Sequence, residues 1–145
     1  MPCNVYQTIK HIGVSKQKIL AVVQDTLLHV GKKNNEVSVH CIGKQKIQTL
    51  NRVFRGIDRP TDVLSFPTEA LFDTEDQTDS GDLFLCPEYI TKQAKRFGTS
   101  YKEEFFRMLI HGVLHLEGYD HEKKSDAKKM FTVQEQLLVT ALKKK

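Results

Sequence analysis

The chain has 145 residues, of which 39% are hydrophobic and 28% charged, a composition typical of a folded globular domain rather than a disordered or collagen-like chain. Its 22 lysines and arginines against 18 aspartates and glutamates give a net charge of +4, which permits a polyanionic partner without requiring one. No apolar stretch approaches the roughly 20 residues that cross a bilayer, and lysines interrupt every candidate leader segment. We therefore predict one domain over residues 1–145, cytoplasmic and with no membrane partner.

The first half of the chain is predicted to alternate strands with amphipathic helices. Residues 4–9 are expected to form a strand, and Ser15 is a suitable N-cap for a following helix that ends at Gly31. The β-branched alternation over 36–42 predicts a second strand, and the helix after it is expected to end at Gly56. The apolar stripes predicted to be buried are Ile19, Leu20, Val23, Leu27 and Val30 in the first helix and Ile47, Leu50 and Phe54 in the second.

Two more strands are predicted in the middle of the chain. Prolines bracket a short apolar stretch at 63–67, which favours a strand at a sheet edge or one that ends in a turn. Residues 70–80 are rich in aspartate, glutamate and threonine and are predicted to be a loop. The apolar run 81–86 then returns as a strand.

Three helices are predicted after that. Pro87 suits the first turn of one that ends at Gly98. A Ser-x-x-Glu capping box at Ser100 begins the next, which is expected to stop at Gly118. The last helix begins near Ser125, with a predicted stripe of Ala127, Met130, Phe131, Leu137, Leu138 and Ala141. Strands interspersed with helices predict an α/β or α+β layer fold with a small sheet.

The cysteines are not arranged as a disulfide framework or a zinc site. Cys3, Cys41 and Cys86 are far apart and odd in number, and no C-x-x-C pair is present. We expect small buried thiols on strands.

Residues 111–121, which read HGVLHLEGYDH, hold the densest group of metal-ligating side chains. His111 and His115 are four residues apart, so both imidazoles lie on one face of a helix. Gly118 can adopt the left-handed conformation that ends a helix and reverses the chain, which would bring His121 to the same point. Three neutral imidazoles are a known ligand set for catalytic zinc that leaves a fourth position for water. The spacing therefore predicts a metal site at these three histidines.

The spacing H-x3-H-x5-H coincides with that of the metzincin proteases but differs at one position. Those proteases carry a general-base glutamate directly after the first histidine, where this chain has Gly112. A peptidase that relies on that base is therefore disfavoured. The histidines expected to be structural or solvated are His11, His29 and His40.

Together with other segments, this string resembles the signature of the YbeY endoribonuclease family. The segments that carry the resemblance are 111–121 (HGVLHLEGYDH), 51–55 (NRVFR), 59–67 (RPTDVLSFP), 81–83 (GDL) and 93–94 (QA). They follow one another in the order found in that family and span about half of the chain.

The resemblance implies a fold, an activity and partners. The expected fold is a single α/β domain with a small mixed four-stranded sheet flanked by helices and a zincin-like metal helix. The expected function is a metal-dependent, single-strand-specific endoribonuclease in maturation and quality control of small-subunit ribosomal RNA. One zinc ion per chain would be held by His111, His115 and His121. Single-stranded or ribosomal RNA and components of the small ribosomal subunit are the expected partners.

Several polar residues are candidates for binding or cleaving the phosphodiester. The resemblance assigns Arg55 as the functional arginine of the cleft, and its guanidinium can hold a phosphate in a bidentate fashion; the alternative is a helix-end arginine that complements the dipole. Arg59 and Ser65 are further substrate-binding candidates. Asp62 and Ser65 could line the cleft or, as turn residues, could equally cap local backbone. Asp120 is either the general base or a carboxylate that orients a ligand histidine. A metal-bound hydroxide or the RNA's own 2′-hydroxyl could make a protein base unnecessary.

Other charged and aromatic residues point less clearly to function. Glu117 is expected to face solvent. The lysines near the C-terminus, which could contact RNA phosphates but are more commonly solvated helix surface, are Lys123, Lys124, Lys128, Lys129 and Lys143 to Lys145. No strand motif carries the aromatic pattern of an RNA-recognition motif, so sequence-specific base reading is not predicted.

Two other classes of function remain open at this point. The same histidines could serve a metal-dependent hydrolase of a small molecule or peptide. Alternatively, zinc could hold the last helices together in a non-catalytic assembly factor of the small ribosomal subunit.

Overall fold

The structure is a computed structural model that describes residues 3–68, 78–119 and 123–144, and these ranges contain four strands and five helices. In chain order the elements are β1 (Cys3–Gln7), α1 (Lys16–His29), β2 (Glu36–Cys41), α2 (Lys44–Arg55), β3 (Val63–Pro67), β4 (Asp79–Leu85), α3 (Pro87–Phe97), α4 (Tyr101–Leu116) and α5 (Lys124–Lys143).

The strands form one mixed sheet in the order β1-β2-β4-β3. β1 and β4 pair parallel with β2, and β3 pairs antiparallel with β4 at the edge of the sheet. The small mixed four-stranded sheet is therefore confirmed. The edge position of β3 agrees with its flanking prolines, because proline has no backbone N–H to donate to a neighbouring strand and is therefore confined to edge strands and strand ends.

Helices cover the two faces of the sheet unequally. Since side chains alternate along a strand, Val37, Val39 and Cys41 of β2 point to one face, and Ser38 and His40 point to the other. The first face, with α1, α4 and α5, is called the α4 side here; the second, on which α2 packs, is called the α2 side. Large buried side chains of the α4 side include Ile19, Leu27, Leu83, Leu85, Phe105, Phe106, Leu109 and Ile110. A smaller cluster on the α2 side contains Ile42, Ile47, Leu64 and Cys86.

Gly112 allows α4 to approach the sheet closely. A Cβ at this position would lie 2.8 Å from Cδ2 of Leu83 and 3.3 Å from Cγ2 of Val63. Both neighbours belong to the packed sheet, and Leu83 is fully buried. The space that a side chain at position 112 would need, such as the catalytic glutamate of the metzincins, is thus occupied here by side chains of the sheet.

The predicted helix boundaries agree with the structure. The Ser15 hydroxyl accepts a hydrogen bond from the backbone N–H of Lys18 at 3.1 Å and begins α1. Ser100 accepts from the N–H of Glu103, also at 3.1 Å, and begins α4. Gly56 ends α2 in the left-handed conformation. These limits depend on local backbone chemistry, which explains why they could be predicted.

The expectations about four residues of the strands and helices are wrong. Asp79 and Ser80, predicted to be loop, begin β4, because the backbone there pairs with β2. Residues 69–77 lie outside the described part. Phe54 and Phe131, predicted to be buried, are 64% and 61% exposed. On α5 the buried positions are Met130, Gln134, Leu138 and Ala141. Phe131 is next to Met130 in the sequence and therefore lies off this buried face.

The three cysteines are free and buried, as predicted, with Cys3 and Cys41 on strands and Cys86 directly after one. Burial raises the pKa of the Cys3 and Cys41 thiols to about 12. Among the described residues, no helix combines the length and apolar character that a membrane span requires.

Candidate active site

His111 and His115 lie side by side in the last turns of α4. Their ring centroids are 5.7 Å apart and their planes are inclined by 52°. Both side chains are half-buried, so they are held by packing yet accessible from one side. The four-residue spacing thus places the two imidazoles together, as helical periodicity requires.

The turn after α4 determines the tautomer of His115. Its Nδ1 lies 2.9 Å from the backbone carbonyl oxygen of Tyr119. Gly118, at a φ of 97°, reverses the chain there, and the Tyr119 N–H bonds back to Leu114. A carbonyl oxygen can only accept, so Nδ1 carries the proton and donates it. In the neutral ring, the lone pair of His115 is then on Nε2.

A chain of polar contacts between α4 and α5 orients His111. Its Nδ1 lies 2.8 Å from Oε1 of Gln134. The amide of Gln134 is itself oriented, because its Nε2 donates to Glu135 at 3.1 Å. Arg107 in turn binds Glu135 and the buried Glu104, each at 3.2 Å. Like His115, His111 therefore donates from Nδ1 to an oxygen and, when neutral, presents its lone pair on Nε2.

Arg107 remains charged in this setting. Burial opposes its charge, but hydrogen bonds to Glu135 and Glu104 outweigh that effect and raise the pKa of the guanidinium above its usual value. The ion pairs hold α5 against α4 and so hold Gln134 against His111.

Gln134 is a residue of the candidate site that the sequence did not predict. It is a buried polar residue in the otherwise apolar stripe of α5. A glutamine at a helical spacing of four from Met130 and from Leu138 is the signal that could have identified it.

The two described histidines fit a metal site by the chemistry of their donors. Metal-ligating imidazoles in proteins typically donate their second N–H to a carbonyl or carboxylate oxygen, which is the arrangement of both rings here. Within residues 3–68, 78–119 and 123–144, no three metal-ligating side chains converge. The predicted third ligand His121 and the neighbouring Asp120 lie outside the described residues.

Arg55 and Arg59 share a separate hollow at the end of α2. Its volume is about 330 Å³, and both arginines are exposed at its rim. Asn51 is buried beneath it and donates to the carbonyl of Arg59 at 2.8 Å, which fixes the loop that carries this residue. The other residues lining the hollow are Ile57, Pro60, Thr61, Leu64 and Tyr89.

The edge strand β3 lies between the hollow and α4. Leu64 points to the α2 side and lines the hollow, whereas Val63 points towards α4. Ser65 lies 3.5 Å from the carbonyl oxygen of Gly112, which joins β3 to α4. Asp62 accepts from the backbone N–H of Val63 at 2.7 Å, the local capping role that was one of its two predicted possibilities.

The expectation that Glu117 faces solvent is wrong. It is half-buried and accepts hydrogen bonds from Asn35, at 2.9 Å, and from the hydroxyl of Ser80. These partners are distant in sequence, so local periodicity could not reveal them. Glu117 joins the end of α4 to the first residues of β4.

Comparison with known proteins agrees with this architecture. The model of the family described as "Endoribonuclease YbeY" matches residues 4–141. The chain belongs to the YbeY endoribonuclease family. Endoribonuclease YbeY of Lactobacillus acidophilus is 41% identical over 120 residues, covering 75% of this chain and 69% of the relative. The YbeY protein of Petrotoga mobilis is 40% identical over 141 residues, covering 94% and 92% of the two chains.

A solved structure from another organism has the same fold. The solution structure of TM1509 from Thermotoga maritima matches with a TM-score of 0.64 at 32% identity, covering 96% of this chain and 88% of that one. The YbeY resemblance predicted from the sequence motifs is thus confirmed.

Proposed function

We propose that this YbeY family member is a metal-dependent endoribonuclease that cleaves single-stranded RNA. The observation that carries the proposal is the pair of imidazoles on α4, each donating its Nδ1 proton to an oxygen. Relatives named endoribonuclease, which match most of the chain, support the reaction class. The proposed role is maturation and quality control of small-subunit ribosomal RNA in the cytoplasm, and three free thiols are typical of a reducing compartment.

The proposed metal ligands are His111, His115 and His121, and the proposed cofactor is one zinc ion per chain. Such an ion supplies Lewis-acid polarisation of a phosphoryl oxygen and lowers the pKa of a coordinated water. The residues of this chain supply the rest of the site. Tyr119 and Gln134 orient the rings of His115 and His111 so that each neutral ring carries its lone pair on Nε2.

The arginine hollow is the proposed position of the RNA phosphates. Arg55 and Arg59 present guanidinium groups at one rim, and such groups pair with phosphate through two parallel N–H···O bonds. With the edge strand β3 between the hollow and α4, RNA bound across β3 would contact both. Asp120, next to His121 in the sequence, is our candidate for accepting the proton of the attacking hydroxyl, and a role for Ser65 in substrate binding is a further part of the proposal.

Single-turnover cleavage of labelled single-stranded RNA tests the proposal, with the bound zinc measured in parallel. His115→Ala is expected to lose both cleavage and zinc while its circular dichroism stays native. His29→Ala, an exposed histidine at the end of α1, is the matched control and is expected to behave like the wild type. Equal cleavage by wild type and His115→Ala would contradict the proposal and identify a contaminating nuclease. Loss of fold without any wild-type cleavage would favour the non-catalytic assembly factor.

A second substitution tests the arginine hollow by itself. Arg55→Glu is expected to abolish cleavage with zinc content intact, because it replaces a phosphate partner by a like charge. Arg96→Glu makes the same change on the exposed surface of α3 and is expected to retain activity. Normal cleavage by Arg55→Glu would remove Arg55 from the proposed site.

A further inference from the structure

Five rings form a continuous row on the α2 side of the sheet. Tyr6 of β1 stacks on His40 of β2 at 5.1 Å between centroids, and His40 stacks on Phe84 of β4 at 4.4 Å. Phe84 meets Phe66 of β3 edge-on at 5.6 Å, and Phe66 meets Phe54 of α2 at 5.1 Å. We call these five residues the aromatic row; it crosses all four strands of the sheet.

The strand register explains the alignment of the rings. Tyr6 is paired with His40, and His40 with Phe84, so the three side chains stand directly beside one another. Phe66 is paired with Asp82, two residues from Phe84, which places it on the diagonal. The row is therefore a consequence of tertiary pairing between residues that are dispersed along the chain.

The row is open at its two ends. Its inner rings, those of His40, Phe84 and Phe66, pack against one another and are half-buried, whereas Tyr6 is 51% and Phe54 64% exposed. An exposed ring at the end of a stack offers a free π-face on which an unpaired base can continue the stack. Every base has such a face, so binding of this kind tolerates any sequence.

The charge around the row favours a polyanion. The helix that carries Phe54 has no acidic residue, and outside the arginine hollow it has three exposed basic residues: Lys44, Lys46 and Arg52. Asp82, on the same face of β4 as Phe84, is half-exposed and accepts a hydrogen bond from Nε2 of His40 at 2.8 Å. Exposed aromatic rings beside uncompensated basic side chains are the combination that single-stranded nucleic acid requires.

We propose that the aromatic row is a second contact surface for single-stranded RNA, separate from the histidines and the arginine hollow, in which unpaired bases stack on Tyr6 and Phe54. This inference rests on the proposed function, since RNA is the substrate there. It adds that the enzyme holds RNA beyond the scissile phosphate. Substitution of Tyr6 is the sharper test of this surface, because Tyr6 is remote from the hollow: β1 and β3 are opposite edges of the sheet.

Equilibrium binding measured by fluorescence anisotropy tests the surface. The probe is a 2′-O-methyl RNA of about twelve nucleotides, checked for integrity by gel, and its counterpart is an abasic oligonucleotide of the same length. Tyr6→Ala and Phe54→Ala are each expected to weaken binding of the base-bearing probe by about 5- to 150-fold, the range of one lost base stack. Binding of the abasic probe is expected to change by less than about twofold, because its phosphates remain bound.

Phe131→Ala is the matched control, because Phe131 is as exposed as Phe54 but lies on α5, outside the row. It is expected to bind both probes like the wild type, and Tyr6→Phe, which keeps the ring, is expected to retain the affinity. The proposal is overturned if Tyr6→Ala and Phe54→Ala bind like Phe131→Ala, or if they lose equal affinity for both probes. In either case cleavage by the wild type would leave the proposed function standing. A wild type that neither binds nor cleaves RNA would contradict both.

Discussion

The α4 side and the α2 side of the sheet place similar residue types in opposite settings. On the α4 side, Arg107 is tied to Glu104 and Glu135, and Phe105 and Phe106 are fully buried. On the α2 side, Phe54 is largely exposed, and the basic residues of α2 project into solvent. On the α4 side these charges and rings are engaged in contacts within the protein, whereas on the α2 side they are exposed to solvent.

This difference matches what each side has to do in the proposed enzyme. A metal centre needs ligands held within a fraction of an ångström, which requires dense packing and hydrogen-bonded neighbours. A surface that binds RNA of any sequence needs exposed rings and charges instead. Substitutions on the α4 side should therefore reduce stability or metal affinity, and those on the α2 side should reduce RNA binding.

The same substitution on the two sides should have the largest contrast in stability. Phe106→Ala is expected to lower the free energy of unfolding by about 4 kcal/mol, because it leaves a cavity in the core. Phe54→Ala should lower it by about 1 kcal/mol or less, since its ring mainly loses an edge contact with Phe66. Urea denaturation measures both. Equal losses would mean that the α2 side is as much a folding core as the α4 side.

Breaking the ion pairs of Arg107 should have the next largest effect. Arg107→Ala leaves the buried Glu104 carboxylate without its partner and is expected to reduce the free energy of unfolding by about 3 kcal/mol. Lys144→Ala breaks an exposed ion pair with Asp25 and should change it by less than about 0.5 kcal/mol. Both values come from the same urea titrations. A small effect of Arg107→Ala would show that the carboxylate of Glu104 finds another hydrogen-bond partner when the guanidinium is removed.

Removing the acceptor of His111 should weaken metal binding without unfolding the chain. Gln134→Met keeps the size of the buried side chain, but methionine offers no oxygen to accept the hydrogen bond from Nδ1 of His111. The zinc affinity is therefore expected to fall about 10- to 100-fold. Competition with a chromophoric chelator measures this directly. Gln136→Met, on the exposed face of α5, is the control, and Gln134→Glu should restore an acceptor and part of the affinity. Unchanged affinity in Gln134→Met would exclude a positioning role for Gln134.

The smallest effect concerns pH and again belongs to the α4 side. The pKa of the Cys3 and Cys41 thiols is raised by burial to about 12 in the folded chain, from 9.0. The unfolded chain releases these protons first, so stability is fully present below pH 9 and falls as the pH rises from 9 towards 12. The expected loss is about 1 kcal/mol per thiol by pH 10. Urea titrations between about pH 8 and pH 10 should show this decline, with a shallower slope in Cys3→Ala. If the wild type and Cys3→Ala lost stability with pH at the same slope, the decline in the free energy of unfolding would come from groups other than Cys3.

Local chemistry made most of the secondary structure predictable. Ser15 and Ser100 accept hydrogen bonds from nearby N–H groups, and Gly56 adopts a left-handed conformation, all within a few residues of chain. The spacing of His111 and His115 likewise determines that their rings share a face of α4. Such features depend on the helical period and on capping chemistry, both of which can be read from sequence.

The errors arose where distant partners decide the environment of a residue. Phe54 and Phe131 lie at the helical spacing of the buried residues of α2 and α5. Whether a neighbouring element covers their side chains depends on helix packing, which the sequence pattern does not show. Glu117 lies at the end of a predicted helix, yet its partners Asn35 and Ser80 come from other parts of the chain.

The sequence by itself determined the order of elements, the α/β class, the family motifs and the predicted metal ligands. Only the tertiary structure brought Gln134 to His111 and aligned Tyr6, His40 and Phe84 in one row. The reason is physical: periodicity describes which residues share a face of one element. Strand register and helix packing then decide which faces meet, and they depend on the whole chain.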